Sequence, residues 1–392
     1  MRGPFNHPHH GEDREIRLTR NQVRRDARRQ VGPLASVRQA GPGLVNPAFL
    51  RMLARQQAPS VKIEPTNLDA SDNPLRPASL DAMVGQAKLK PLLRRLIDNA
   101  LSSGQPLDHL LLVGASGTGK TTTALVIARE LGRRVFVLKA PVDMDTLSAL
   151  CDAAQDGDVC FVDEIHMQVS GDRRGLTQAC DPESFYLLLE DGILAEPRGP
   201  RPFPKVTWIG ATTDVGLLPE PLTNRFPLQP RLAPYTEYDM AVLASANAKA
   251  LGLICGAVEC HMFAAACRLN PRQLNSYMRS AKALTADGKI GVGDVEEVIV
   301  DLAGCTLDGL TPSQQTVLTY LFRNCRRPYR DGTVLYSASV DTLASACGHG
   351  RDTKAIALLV EPWLLQQGYL EVRHTGRTLT ERGIQRAKEL CR

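Results

Sequence analysis

A parallel α/β sheet with helices on both faces, then a small all-helical unit, then a C-terminal unit of helices ending in a two-stranded wing: this is the fold class that the 392-residue sequence predicts. Three observations carry the prediction. Short apolar runs alternate with helical patterns between Leu75 and Arg231. The pattern is purely helical from residue 232 to residue 306. From residue 307 to residue 392, helical segments end in two short strand signals.

Residues 1–74 come first and are rich in Arg, Pro, Gln and Gly, with few apolar clusters. They read as a basic, largely disordered extension holding one amphipathic helix near Asn46 to Gln56. Strands are expected at Leu110 to Val113, Val135 to Leu138, Val159 to Val162 and Val206 to Ala211. Helices are expected at Tyr238 to Leu251, His261 to Arg268, Pro271 to Ala286 and Val292 to Ala303, with no strand signal among them. The wing strands are Tyr369 to Arg373 and Arg377 to Thr380, turning at His374, Thr375 and Gly376.

The first expected strand runs into GASGTGKT, Gly114 to Thr121, and from there into a helical pattern. Glycines at these positions let successive backbone N–H groups curl around phosphate oxygens. A lysine then neutralises the outer phosphates, and a hydroxyl serves as a ligand to Mg²⁺. Gly114, Gly117, Thr118, Gly119, Lys120, Thr121 and Thr122 are therefore the phosphate-binding candidates. A second motif, VCFVDEIH from Val159 to His166, ends a buried-strand run in two adjacent carboxylates. Asp163 suits the metal shell beside Thr121, and Glu164 suits activation of water. Paired acids after a strand can also cap the next helix. Following a phosphate-binding loop, they point to nucleoside triphosphate hydrolysis with ATP and Mg²⁺.

Composition narrows the class further. A hydrophobic content of 43% builds real cores, and no apolar run approaches membrane-spanning length, so a cytoplasmic protein with no membrane partner is expected. The ten cysteines form no CxxC pair; Cys255, Cys260 and Cys267 read as buried thiols rather than a metal site. The formal charge of +5 is unevenly placed. Residues 1–40 hold nine Arg against four acids, and residues 307–392 hold twelve Lys or Arg against eight. These two segments are where polyanion contacts are expected.

Five stretches resemble the RuvB family of AAA+ ATPases, the Holliday-junction branch-migration motors. They are LRPASLDAMVGQ (Leu75 to Gln86), LDHLLLVGASGTGKTT (Leu107 to Thr122), GDVCFVDEIH (Gly157 to His166), WIGATTDVGLLPEPLTNRF (Trp208 to Phe226) and EPWLLQQGYL (Glu361 to Leu370). The resemblance implies an AAA+ parallel-sheet domain over 75–231, a helical lid over 232–306 and a winged-helix DNA-binding domain over 307–392. It further implies that Val84, Gly85, Gln86 and Tyr235 line the adenine pocket. By the same resemblance Thr213 is sensor 1, Arg272 is sensor 2, and Arg225 is an arginine finger completing a neighbouring subunit's site. Arg373, His374 and Arg377, with Arg351 as a weaker candidate, would meet DNA phosphates.

The resemblance implies a hexameric ring on duplex or junction DNA, driving branch migration by ATP hydrolysis. An ATP-switched loader or matchmaker without processive translocation is the rival reading, and a winged-helix regulator is a third. Relatives dock a RuvA-type partner on a β-hairpin. Here the matching stretch, Gly192 to Pro204, is short, proline-rich and charged without apolar alternation, which argues against that docking. A polar insertion near Val169 to Pro182, Thr223 in place of a common arginine, and Leu269-Asn270 in place of the usual Gly-Thr also depart from the family.

Overall fold

Strand runs that are mostly apolar build the central layer. The computed structural model describes residues 62–68, 73–168, 180–196, 199–328, 334–350, 352–374 and 376–392. In it the runs become β1 (Leu110–Val113), β2 (Val135–Lys139), β3 (Val159–Asp163) and β6 (Thr207–Thr212). They pair in parallel in the order β1-β6-β3-β2, with Leu110 opposite Ile209, Val159 opposite Thr207 and Val135 opposite Val159.

Alternate side chains of a strand leave opposite faces. Leu110, Leu112, Val159 and Phe161 thus enter one core with α1 (Leu89–Ser103) and α2 (Lys120–Glu130). Leu111, Val113, Cys160 and Val162 enter a second core with α3 (Met144–Ala153) and α4 (Pro182–Asp191). Strands β1, β3 and β6, covered on both faces, need no polar alternation, whereas the edge strand β2 leaves Val137 exposed.

Local chemistry sets the helix ends. Asp143 accepts from the Thr146 N–H at 2.7 Å to start α3, and Asp181 accepts from the Ser184 N–H at 2.9 Å to start α4, with Pro182 in the first turn. Thr236 and Asp239 form a reciprocal capping box at the head of α5 (Glu237–Leu251), which ends at left-handed Gly252.

The stretch expected to lack a hairpin forms one. β4 (Ile193–Glu196) pairs antiparallel with β5 (Gly199–Pro202), and Leu194 and Phe203 anchor it in the core. Pro200 and Pro202 sit on β5, whose only described partner strand is β4; the prolines that hid the strand from the sequence are tolerated at such an edge. Most of the neighbouring polar insertion, residues 169–179, lies outside the described residues.

Beyond the sheet, α5 packs with α6 (Ala257–Ala266), α7 (Pro271–Leu284) and α8 (Val292–Glu296) around Met240, Phe263, Leu274, Met278 and Val298. This region was expected to be purely helical. It also contains a two-residue parallel pair, β7 (Ile254–Cys255) with β8 (Lys289–Ile290), too short to leave a periodic pattern. The Cys255 and Cys260 thiols stand 3.4 Å apart in the same region.

The C-terminal region gathers α9 (Pro312–Asn324), α10 (Val340–Ala346), α11 (Glu361–Gln366) and α12 (Glu381–Leu390) around Leu318, Leu343, Leu364 and Leu379. The expected wing strands are β11 (Leu370–Arg373) and β12 (Gly376–Leu379), in register from Leu370 opposite Leu379 to Arg373 opposite Gly376. They are not isolated. β12 also pairs with β10 (Val334–Ala338), and β10 with β9 (Arg326–Pro328), giving an antiparallel order β11-β12-β10-β9. Gly376 is required at the turn: its φ is +119°, and a Cβ there would collide with the Ala338 carbonyl.

No described helix is long and apolar enough to cross a membrane. The basic extension, with its expected helix at Asn46 to Gln56, lies outside the described residues except for short segments from residue 62 onward.

Candidate active site

The glycine-rich turn joins the end of β1 to α2, and its backbone shows why glycine is needed. Gly117 and Gly119 have φ of +84° and +96°. A Cβ on Gly117 would stand 3.2 Å from Asn270 Oδ1, and one on Gly119 would stand 3.2 Å from the Tyr235 hydroxyl. Helix α2 has no side-chain cap at Gly119, which leaves its N-terminus uncapped for an anion. Lys120 Nζ donates to the Gly114 and Ala115 carbonyls at 2.8 and 3.1 Å. Burial pushes this ammonium below its ordinary range. Glu164 and Asp163 oppose that shift, and Arg272 adds to it.

Two cations brought together with nearby carboxylates make a site suited to a polyanion and its metal. Thr121 and Asp163 line the same cavity, a hydroxyl and a carboxylate of the oxygen type that Mg²⁺ takes. The donor set therefore fits both the phosphates of a nucleotide and a divalent ion.

Glu164 follows β3 with φ of +52°, a left-handed conformation that side chains seldom adopt. Its N–H donates to Asp163 Oδ1 at 3.1 Å, and its Oε2 lies 3.4 Å from His166 Nδ1. The same His166 nitrogen stands 3.3 Å from Thr212 Oγ1, while the Thr212 carbonyl accepts from the Gly114 N–H at 3.2 Å. Glu164, His166, Thr212 and the first glycine of the turn thus form one connected path. The sequence motif gives His166 no role, because nothing in a linear sequence places it against the neighbouring strand. Thr213, the expected sensor, lies exposed just past the end of β6; Thr212 makes the contact to His166.

A cavity of about 580 Å³ separates the glycine-rich turn from the helical region. It brings together Val84, Gly117, Gly119, Lys120, Thr121, Thr122, Asp163, Glu164, Tyr235 and Arg272, residues spread over nearly 190 positions of sequence. Gly85 packs behind it, with a Cβ there 3.3 Å from the Tyr235 ring. Gln86 stands at φ of +53° and exchanges hydrogen bonds with Ala233 at 2.8 and 3.0 Å, tying the N-terminal strap to the linker before α5. Gly114 and Thr118 shape the turn from within, the Thr118 hydroxyl donating to the Ala115 carbonyl at 2.8 Å. Sequence reasoning missed Asn247 and Asn275, which line the cavity and bond to each other at 2.7 Å. It also missed Asn270, which faces Gly117.

Arg225 is not among the residues lining this cavity. It stands against α4, paired with Glu190, donating to the Tyr186 carbonyl at 3.1 Å and lying 5.0 Å over the Tyr186 ring.

The wing cations divide. Arg373 is half-exposed beside Glu371 at 2.6 Å, and His374 is exposed at the turn. Arg377 is engaged within the fold. It forms a two-pronged pair with Glu361 at 2.6 and 3.1 Å; Glu361 is only 4% exposed, while the guanidinium stays partly exposed with its charge balanced by that carboxylate. Arg351 lies outside the described residues. Arg326 and Arg327, exposed on β9, are cations the sequence reading did not single out.

Because Glu361 is buried, Arg377→Ala is expected to destabilise the C-terminal region by about 3 kcal/mol or more, leaving a carboxylate without its partner. Urea unfolding followed by circular dichroism checks this. A parental midpoint would mean that the carboxylate is relieved in some other way.

A parallel sheet, a glycine-rich phosphate turn, a paired-acid strand end and a helical region closing over them define an ATPase of the AAA+ class. The family described as the Holliday junction DNA helicase RuvB P-loop domain matches residues 75–232. The Holliday junction branch migration complex subunit RuvB of Parasynechococcus marenigrum (strain WH8102) is 33% identical over 338 residues, covering 84% of this chain and 93% of that protein. Its counterpart from Synechococcus sp. (strain CC9311) is 34% identical over 336 residues, covering 84% and 89%. Among solved structures, the Thermotoga maritima RuvB Holliday junction branch migration motor superimposes with a TM-score of 0.62 at 27% identity, covering 81% of this chain and 99% of that one. The chain belongs to the RuvB family.

Proposed function

We propose that this chain is an ATP-driven DNA motor that moves four-way or forked junctions, working as a ring of identical subunits. The observation that carries this reading is the division of the catalytic set. Lys120, Asp163, Glu164 and Arg272 share one cavity, Thr213 follows β6 just outside its lining, and Arg225 stands apart against α4, a placement that supports service to a neighbour.

In this reading the loop amides and Lys120 hold the outer phosphates of ATP, and Val84 and Tyr235 enclose the base. Thr121 and Asp163 would hold Mg²⁺, whose charge offsets that of the phosphates. Glu164 orients and deprotonates the attacking water, Thr213 senses the terminal phosphate, and Arg272 links it to the helical lid. Arg225 of the adjacent subunit completes the charge around the transferring phosphoryl group. Residues 307–392 act as a winged helix on the DNA backbone, with Arg373 and His374 as contacts. Phosphate contacts carry no base information, which suits movement over any sequence. The presence of the β4–β5 hairpin supports docking of a RuvA-type partner and weakens the argument for a loader that does not translocate.

A synthetic four-way junction with heterologous ends tests this, with and without a RuvA-type protein. ATP-dependent conversion to duplex products is expected and should stop when ATP is replaced by a non-hydrolysable analogue. ATP-dependent binding without conversion under either condition would replace the motor with a switch.

A further inference from the structure

Two consecutive residues other than glycine, Arg268 and Leu269, hold left-handed φ angles of +50° and +58° between α6 and α7. Such backbone persists only where the surroundings impose it, and the surroundings here differ on the two sides. On the N-terminal side of the turn, the Arg268 guanidinium reaches the C-terminal region. Its Nη1 donates to Gln314 Oε1 at 2.6 Å, and its Cζ lies 4.7 Å over the Trp363 ring. Gln314 is fully buried and passes the connection on, donating to the Val360 carbonyl at 3.1 Å. Trp363 packs in turn against Tyr369, ring centres 5.9 Å apart, immediately before β11.

On the C-terminal side of the turn stands the nucleotide cavity. Asn270 caps α7 by accepting from the Arg272 N–H at 3.0 Å and faces Gly117 of the phosphate turn. Pro271 and Arg272 line the cavity itself. A single residue, Leu269, separates the side chain that grips the C-terminal region from the one that faces the phosphate turn.

The grip is specific. Among the described residues no carboxylate pairs with Arg268; burial is the main influence on its guanidinium, which is pushed below its ordinary range. Gly309 makes room for the stem, since a Cβ there would stand 2.5 Å from Arg268 Cγ. A half-buried cation held by an amide oxygen and an aromatic face depends on their geometry, so it registers small displacements of α7 relative to Trp363.

We propose that Arg268 is a positioning residue that couples nucleotide occupancy at the phosphate turn to the C-terminal region through the strained 268–269 turn. Any shift of Asn270 and Arg272 on binding or hydrolysis is carried by this turn to Trp363 and so to the wing. The proposal rests on the motor reading for its consequence, but not for its first test.

The chain has two tryptophans, and Trp208 is buried in the sheet core, so a Trp208→Phe background leaves Trp363 as the sole reporter. In that background ATP should shift Trp363 emission. Arg268→Met, which keeps the apolar stem, should abolish the shift while still binding ATP by equilibrium titration. An ATP shift absent from the background protein, or equal in Arg268→Met, overturns the proposal whether or not the protein moves DNA. In the junction assay Arg268→Met should lose about 2- to 30-fold in junctions moved per ATP hydrolysed, the range of a coupling residue remote from either ligand. Should Arg268→Met fail to fold, Arg268→Lys decides, since it keeps the charge but neither the planar stack nor the fork. Parental emission change and parental migration per ATP in that variant count against the coupling role. A parental chain that shows the emission change yet moves no junction sinks the motor reading alone.

Discussion

Glu164→Gln is expected to bind ATP and assemble with it while turnover falls by about 10²- to 10⁴-fold, the usual worth of a positioned general base. The amide keeps the size and much of the hydrogen bonding of the carboxylate but cannot take a proton from water. Glu164 lines the cavity beside Lys120 and Asp163 and is held left-handed at the end of β3, so its position is set by the backbone rather than by its charge. The substitution should therefore leave binding intact. Phosphate release and size-exclusion chromatography with ATP measure the two halves of this expectation. Parental hydrolysis would remove Glu164 from the role and direct attention to His166, 3.4 Å away.

Arg225→Ala should lower turnover by about 10³- to 10⁵-fold with nucleotide affinity unchanged, the effect seen when an arginine finger is withdrawn. The size of the effect follows from placement. The guanidinium is outside its own subunit's cavity and paired with Glu190, so the expected effect comes from a site shared with a neighbour. Loss of local packing on Tyr186 is a competing explanation. Mixing separates the two: Arg225→Ala and Lys120→Ala chains damage complementary halves of a shared site, so mixed interfaces should recover part of the activity. A monomer that hydrolyses ATP at the parental rate without Arg225, or mixtures inert at every ratio, would refute a site built between subunits.

Legibility differed from element to element for physical reasons. Strands β1, β3 and β6 were visible because they are buried on both faces, and a run such as Leu110 to Val113 is apolar at every position. β7 and β8, two residues each, carry no periodicity, and β5 was masked by prolines that only an edge can tolerate. In the site, Lys120, Thr121, Asp163 and Glu164 could be named because each follows a strand end at fixed spacing. Asn247, Asn270 and Asn275 could not, since asparagine in a helical pattern more often caps or faces solvent. The partner of Arg377 was not legible, because a charge on a wing strand reads as free until Glu361 is found beneath it.

By itself, then, the sequence determined what depends on neighbours along the chain: the strand–turn–helix that binds phosphate, the acid pair, the helix caps and the order of the three regions. Tertiary structure alone decided what depends on neighbours in space. It set Tyr235 and Arg272 across the cavity from Lys120, put His166 between Glu164 and Thr212, held Arg225 outside the cavity, and seated Arg268 on Trp363. Backbone turns and burial patterns are written in local stereochemistry and hydropathy. The partner of a charge is chosen only when packing has removed water and left one group within reach.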